Sequence, residues 1–172
     1  MDLNFSECVK RAKKGDTDAF SKLYSLVYKD LYHIALCNLK NQHDACDAVS
    51  DAVLDAFTSI KNLRDEKAFK AWIVKILTVK IKNKQREYIK NNNTQDIDDV
   101  EQEITGDDGY GGLEILEEIA NLDENERLVL SLSIVGGYTS EEIAVLCETN
   151  PSTIRSKLSR AKIKLKQRLE LV

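Results

Sequence analysis

Thr139-Ser140-Glu141-Glu142-Ile143-Ala144-Val145-Leu146-Cys147-Glu148-Thr149-Asn150-Pro151-Ser152-Thr153-Ile154 decides the fold class of this 172-residue chain. Thr139 followed by Glu142 has the form of a capping box: a hydroxyl accepts from the third helical N–H while the glutamate reaches back. Ile143, Ala144 and Leu146 then carry an apolar face, and Cys147 to Asn150 breaks it. Pro151, the only proline, suits the first turn of a following helix, where its missing N–H would have no intrahelical partner anyway.

Past that proline the period is helical. Ile154, Leu158, Ala161, Leu165 and Leu169 recur at spacings of four, three, four and four, forming one stripe. At about 100° per residue, Ser152, Thr153, Ser156 and Arg160 fall opposite, flanked by Lys157 and Lys164. A charge run alone describes an amphipathic surface helix with a solvated basic face. The turn, the caps and the small polar residues at the helix start describe a helix-turn-helix, whose second helix enters the major groove.

Outward from this unit, the net charge of −4 conceals strong segregation. Residues 61–90 hold ten Lys/Arg against three Asp/Glu, residues 91–118 hold ten acids and no base, and residues 151–172 hold seven bases against one acid. Two basic blocks separated by an acidic spacer predict two polyanion-binding surfaces. Asn91 to Gly112, rich in Asn, Asp and Gly, lacks any hydrophobic period and marks a domain boundary.

Ahead of the boundary, Phe5 to Lys14 predicts a short helix closed by Gly15. A longer one after Asp16 carries Phe20, Leu23, Tyr24, Val27, Leu31, Ile34 and Ala35, with His33 at a surface or core edge. In a third helix, roughly His43 to Ile60, Asp44, Asp47, Asp51 and Asp55 share one face, with Val49, Val53, Leu54 and Phe57 on the buried side. Like charges at this spacing cost about a few tenths of a kcal/mol per pair unless something basic meets them. A solvated acidic face is the plain alternative; helical aspartates without loop carbonyls make poor calcium cages. A fourth helix, Ala68 to Lys90, presents Phe69, Trp72, Ile73, Ile76 and Val79 to the core and a basic flank of Lys75, Lys82 and Arg86, with Lys67 at its start. After the boundary come Leu113 to Ala120 and Leu122 to Val135. No β pattern appears, so the expected fold is all-α: two small helical domains joined by a flexible acidic linker, at 1–92, 93–111 and 112–172.

Cys8, Cys37, Cys46 and Cys147 show no paired spacing, and neither His33 nor His43 has a second ligand at metal distance, so no metal or cofactor is expected. No run approaches the roughly 20 apolar residues of a membrane span, and Met1-Asp2-Leu3-Asn4 lacks the plan of a signal peptide. The expectation is a cytoplasmic protein. No catalytic constellation stands out either, so no enzyme is expected.

The segment Leu122 to Arg127, then Gly137-Tyr138-Thr139-Ser140-Glu141-Glu142-Ile143-Ala144, then Thr153 to Ala161 resembles the fourth conserved region of bacterial sigma factors. Ala19-Phe20, Leu23-Tyr24, Asp44-Ala45-Cys46-Asp47 and Phe69-Lys70-Ala71-Trp72-Ile73 resemble the second region. The short chain, without a third-region domain, is similar to the extracytoplasmic-function (ECF) group. The resemblance implies an alternative sigma factor that directs RNA polymerase core to promoters, aids their opening, and is restrained by an anti-sigma factor, which could hold it at a membrane. It implies that Asp44, Asp47, Asp51 and Asp55 dock on the β′ coiled coil, the β subunit being a further contact. Asn62, Arg64, Lys67, Lys75, Lys82 and Arg86 would serve the minus-ten element. Ser152, Thr153, Arg155, Ser156, Lys157, Arg160 and Lys164 would serve the minus-thirty-five element. The chain departs from the family at Thr78-Val79, where an Arg-Asn pair is usual, and at Ser50-Asp51. A one-component regulator with a ligand-sensing first half and a helical adaptor for an acidic protein are the alternatives. The first would need an apolar pocket with convergent polar groups.

Overall fold

The computed structural model describes residues 4–92 and 113–170. Eight helices run α1 (Phe5–Lys13), α2 (Thr17–Leu39), α3 (Gln42–Ser59), α4 (Phe69–Asn92), α5 (Leu113–Ala120), α6 (Glu124–Ile134), α7 (Ser140–Leu146) and α8 (Pro151–Glu170), with two 3₁₀ turns between α3 and α4. There is no strand among the described residues, as the hydrophobic periods predict. The linker expected at 93–111 lies outside them.

Local chemistry sets the helix ends. Gly15, at φ +93°, closes α1: its N–H donates to Ala12 and that of Asp16 to Arg11, the two bonds of a Schellman motif. Asp16 then caps α2 by accepting from the Ala19 N–H. The weak break expected at Leu39 to Gln42 is a single left-handed residue, Lys40, followed by Asn41, whose side chain caps α3. Gly136 ends α6 where any Cβ would sit 2.7 Å from the Leu132 carbonyl oxygen and 2.6 Å from the Tyr138 ring.

In the first half, α2 packs against α1, α3 and α4. The innermost face of α3 is its alanine row, Ala45, Ala48, Ala52 and Ala56, with Val49 beside it. Small side chains allow the closest approach between helix axes, so that row wins the centre. Leu54 and Phe57, expected on the buried side, are left 61% and 43% exposed. The inner face of α4 is likewise turned from the expected one. Phe69, Ile73, Leu77 and Ile81 form its deep row, whereas Val79 is 51% exposed and Trp72 and Ile76 only border the core. Two polar residues share that interior: the Thr78 hydroxyl donates to the Val74 carbonyl (2.9 Å) and the Gln85 amide to that of Asn38 (3.4 Å).

In the second half, α8 packs on α5, α6 and α7. Its buried stripe is Ile154, Leu158, Ala161 and Leu165; Leu169, expected to continue it, is 38% exposed. The two halves also pack on each other, α2 against α5 and α6, and α4 against α7. Every residue from His33 to Leu39 is buried, so these two turns of α2 have neighbours on all sides. His33 is interior, not at an edge, for that reason.

Candidate nucleic-acid interface

The helix-turn-helix forms as its sequence dictates. Thr139 Oγ1 accepts from the Glu142 N–H at 3.3 Å while the Thr139 N–H donates to Glu142 Oε2 at 2.7 Å, completing the capping box. The turn passes through Glu148 at φ +53°. Asn150 Oδ1 then accepts from both the N–H (2.9 Å) and the hydroxyl (2.8 Å) of Ser152, fixing the start of α8.

Ser152, Thr153, Arg155, Ser156 and Arg160 are all exposed. A shallow, open depression is lined by Arg155, Ser156, Ser159 and Arg160. Two guanidinium groups and two hydroxyls on one open helix face are donors suited to phosphates and base edges. Ser159 belongs to this face but was not among the expected residues; applying the 100° rule one turn past Ser156 finds it. Arg155 is braced by Glu141 at 3.0 Å. Lys157 is half-buried and Lys164 is turned toward α6, where Glu126 (2.8 Å) and Asp123 (3.5 Å) hold its ammonium above the usual lysine range, the hydrogen bond to Glu126 being the main cause.

The expected second cationic surface divides in two. Asn62, Arg64 and Lys67 are exposed on the connection between α3 and α4. On α4, Arg86 is exposed and donates to Asn83 at 3.3 Å, while Lys75 Nζ lies 3.5 Å from Glu148 Oε1 in the turn of the other half. Lys82 and Lys157, from α4 and α8, both act electrostatically on Cys147, though burial dominates and pushes that thiol up. The structure thus brings part of the α4 cationic flank to the helix-turn-helix.

The acidic ridge of α3 is met from within the molecule, by lysines that the expected flank omits. Lys80 lies 2.6 Å from Asp55, and Lys84 lies 3.6 Å from Asp44 and 3.9 Å from Asp47. His43 is 3.5 Å from Asp47, and the Tyr88 hydroxyl donates to Asp44. Burial, then the bond to Asp44, raises the Tyr88 pKa. Asp51 alone of the four has no such partner and is exposed, with Leu54 and Phe57 on the following turn. Among the described residues there is no group of three or more His, Cys, Asp or Glu side chains that could hold a metal, and no helix is long and apolar enough to cross a membrane.

Comparison with known proteins matches residues 23–89 to sigma-70 region 2 and residues 112–165 to sigma-70 region 4. The chain is 25% identical to an ECF RNA polymerase sigma-E factor of Haemophilus influenzae, over 94% of this chain and 93% of that one. It is 24% identical to the ECF RNA polymerase sigma factor SigW of Bacillus subtilis, over 98% of each. Among solved structures, the fold is similar to CnrH in complex with the cytosolic domain of CnrY (TM-score 0.70, 19% identity, 96% of this chain and 97% of that one). It is also similar to the sigma factor RpoE in complex with the anti-sigma factor NepR from Bartonella quintana (TM-score 0.74, 22% identity, 88% and 96%).

Proposed function

The chain belongs to the sigma-70 family, in its ECF group, and on that premise we propose how its own surfaces divide the work of promoter selection. The family is one of initiation factors that direct RNA polymerase core to promoters. Residues 1–92 form the polymerase-docking and minus-ten module, residues 112–172 the minus-thirty-five module, and 93–111 the connection.

The observation that carries the reading is the exposed face of α8. Arg155, Ser156, Ser159 and Arg160 line one open depression on a helix whose start is fixed by Asn150 and whose partner helix is fixed by a capping box. That rigidity holds hydrogen-bond donors on one open helix face, as major-groove readout requires. Ser152 and Thr153 at the helix start contact phosphate, with Lys157 and Lys164 at the margins. Asn62, Arg64 and Lys67 serve the minus-ten element with Lys75, Lys82 and Arg86 on the strand backbone. Val79 stands exposed beside Lys75, so the minus-ten surface of this chain carries an apolar side chain there. Asp51 is the ridge carboxylate available to the β′ coiled coil, with Asp44, Asp47 and Asp55 flanking it. An anti-sigma factor restrains the protein, which acts in the cytoplasm, where polymerase and DNA are.

The test is reconstitution. Purified protein added to core polymerase is expected to support run-off transcription from a cognate promoter while binding duplex DNA weakly alone. Tight, sequence-specific operator binding without polymerase would instead establish a one-component regulator.

A further inference from the structure

We propose that Lys13 on α1 is a positioning residue for promoter opening: its ion pair with Glu66 holds the connection between α3 and α4 in the shape that receives minus-ten bases. This deepens the promoter-factor reading above and rests on it. α1, with its basic last turn, has no part in either cationic surface assigned so far.

The connection is built to a fixed shape. Its two 3₁₀ turns are Ile60–Asn62 and Glu66–Ala68. The Leu63 N–H donates to the Ile60 carbonyl at 3.0 Å, closing the first. Asp65 closes the second: its side chain accepts from the Lys67 N–H and its carbonyl from the Ala68 N–H, both at 3.0 Å. Between the turns the backbone is extended at Leu63 (φ −65°, ψ 120°), so successive side chains alternate. Ile60 and Leu63 are 4% and 6% exposed, which leaves Asn62 and Arg64 outward on either side of Leu63.

These bonds shape the turns but do not decide where they sit. That falls to α1, which packs on both of them. At the C-terminal end of α1, Lys13 Nζ lies 3.3 Å from Glu66 Oε1, 53 positions away in the chain, with the two side chains 23% and 26% exposed. At the other end the Phe5 ring meets Phe69 edge-on, centroids 5.9 Å apart, and Lys70 Nζ lies 5.5 Å over the Phe5 ring. Phe69, fully buried, is where the second turn passes into α4. α1 therefore grips the second turn at its first residue and just past its last. Lys67, exposed between those two grips, takes its position from them.

A base taken up at the minus-ten element has to leave its stack, and a receiving surface that also had to be ordered would add to that cost. A connection already fixed by α1 removes the second step. Lys13 acts through Glu66, not by contact with DNA, so its effect falls on opening and not on the first encounter with duplex.

Permanganate footprinting of a cognate promoter, read beside closed-complex binding in the cold, tests this with the full chain and core polymerase. Lys13→Met and Glu66→Gln should each lower the reactivity of minus-ten thymines about three- to tenfold, with closed-complex binding changed less than about twofold. The double variant should open no worse than either single one, because the second change removes the charge that the first left unpaired. Either single variant decides alone where the other does not fold. If Lys13 instead touched the DNA backbone, Glu66→Gln would raise opening by removing a repelling charge, and that result overturns the brace. So do wild-type opening by the single variants, additive losses in the double variant, and an equal loss of binding and opening, the mark of a merely destabilised protein. Failure of the unaltered chain to open the promoter overturns the promoter-factor reading instead.

Discussion

Lys80 Nζ sits 2.6 Å from Asp55 Oδ2, and one turn further along α4 Lys84 faces both Asp44 and Asp47. The repulsion that four aspartates on one helix face would generate is thereby relieved inside the protein, and Asp51 is the ridge carboxylate without such a partner. Asp51→Lys is expected to weaken association with core polymerase at least tenfold while leaving the melting temperature within error. Asp55→Asn is expected to lose less than about 1 kcal/mol of folding stability, as exposed ion pairs do. Pull-down with core polymerase beside a thermal melt separates the two; wild-type retention of Asp51→Lys would move the docking site off the ridge.

Two cations of α8 should behave differently. Arg160→Ala is expected to cost about 1–3 kcal/mol in transcription from a promoter dependent on the minus-thirty-five element, with an unchanged melt. Lys164→Ala removes the partner of Glu126, whose side chain is only 10% exposed. It should therefore lower the melting temperature more than it lowers promoter selectivity. Equal effects of both variants on both readouts would erase the distinction between the outer and inner sides of α8.

Tyr88 closes the end of the ridge by donating to Asp44 from the last turns of α4. Tyr88→Phe keeps the ring and removes the donor, and should cost roughly 0.5–1.5 kcal/mol, about 1–6 °C for a chain of this size. Differential scanning calorimetry reads the change. A melting temperature equal to the wild type would show that the bond contributes nothing net.

Acid sensitivity should trace to Asp16. Its carboxylate accepts from the Ala19 N–H and is paired with Arg11 at 2.6 Å, and the first of these is the larger cause holding it below its usual 3.8. A carboxyl lowered on folding contributes stability that is present above its unfolded value and lost as pH falls through the lowered folded value. Melting temperatures should therefore decline below about pH 4, and Asp16→Asn, which retains a capping oxygen without the charge, should flatten that limb. An unaltered acid limb in the variant would assign the decline to other carboxyls.

What could be read from the sequence was what is decided within a few residues. Thr139, Glu142, Asn150 and Pro151 each act on the helix end next to them, and α7, its turn and α8 follow from them alone. Faces were harder. Val79, Leu54 and Phe57 fit a hydrophobic period yet lie outside, because the alanine row of α3 and the polar Thr78 and Gln85 of α4 take the interior instead. Those polar residues are acceptable there because each finds a carbonyl, in one case across helices. Lys80 and Lys84 are hidden from the sequence for the same reason: which flank of α4 meets α3 depends on that rotation. The Asn38–Ser131 bond spans 93 positions, and no local pattern encodes it.

Cys37 gives the molecule a stopwatch of its own. Its sulfur is fully enclosed and its pKa is pushed up to about 12 by burial, leaving almost no thiolate to react. Because the thiol is enclosed against α5, alkylation there must wait for an opening of the fold around it, whereas Cys46 on the outside of α3 reacts without delay. The ratio of the two labelling rates is a count of how often the protein comes undone, obtainable without any dye, tag or substitution.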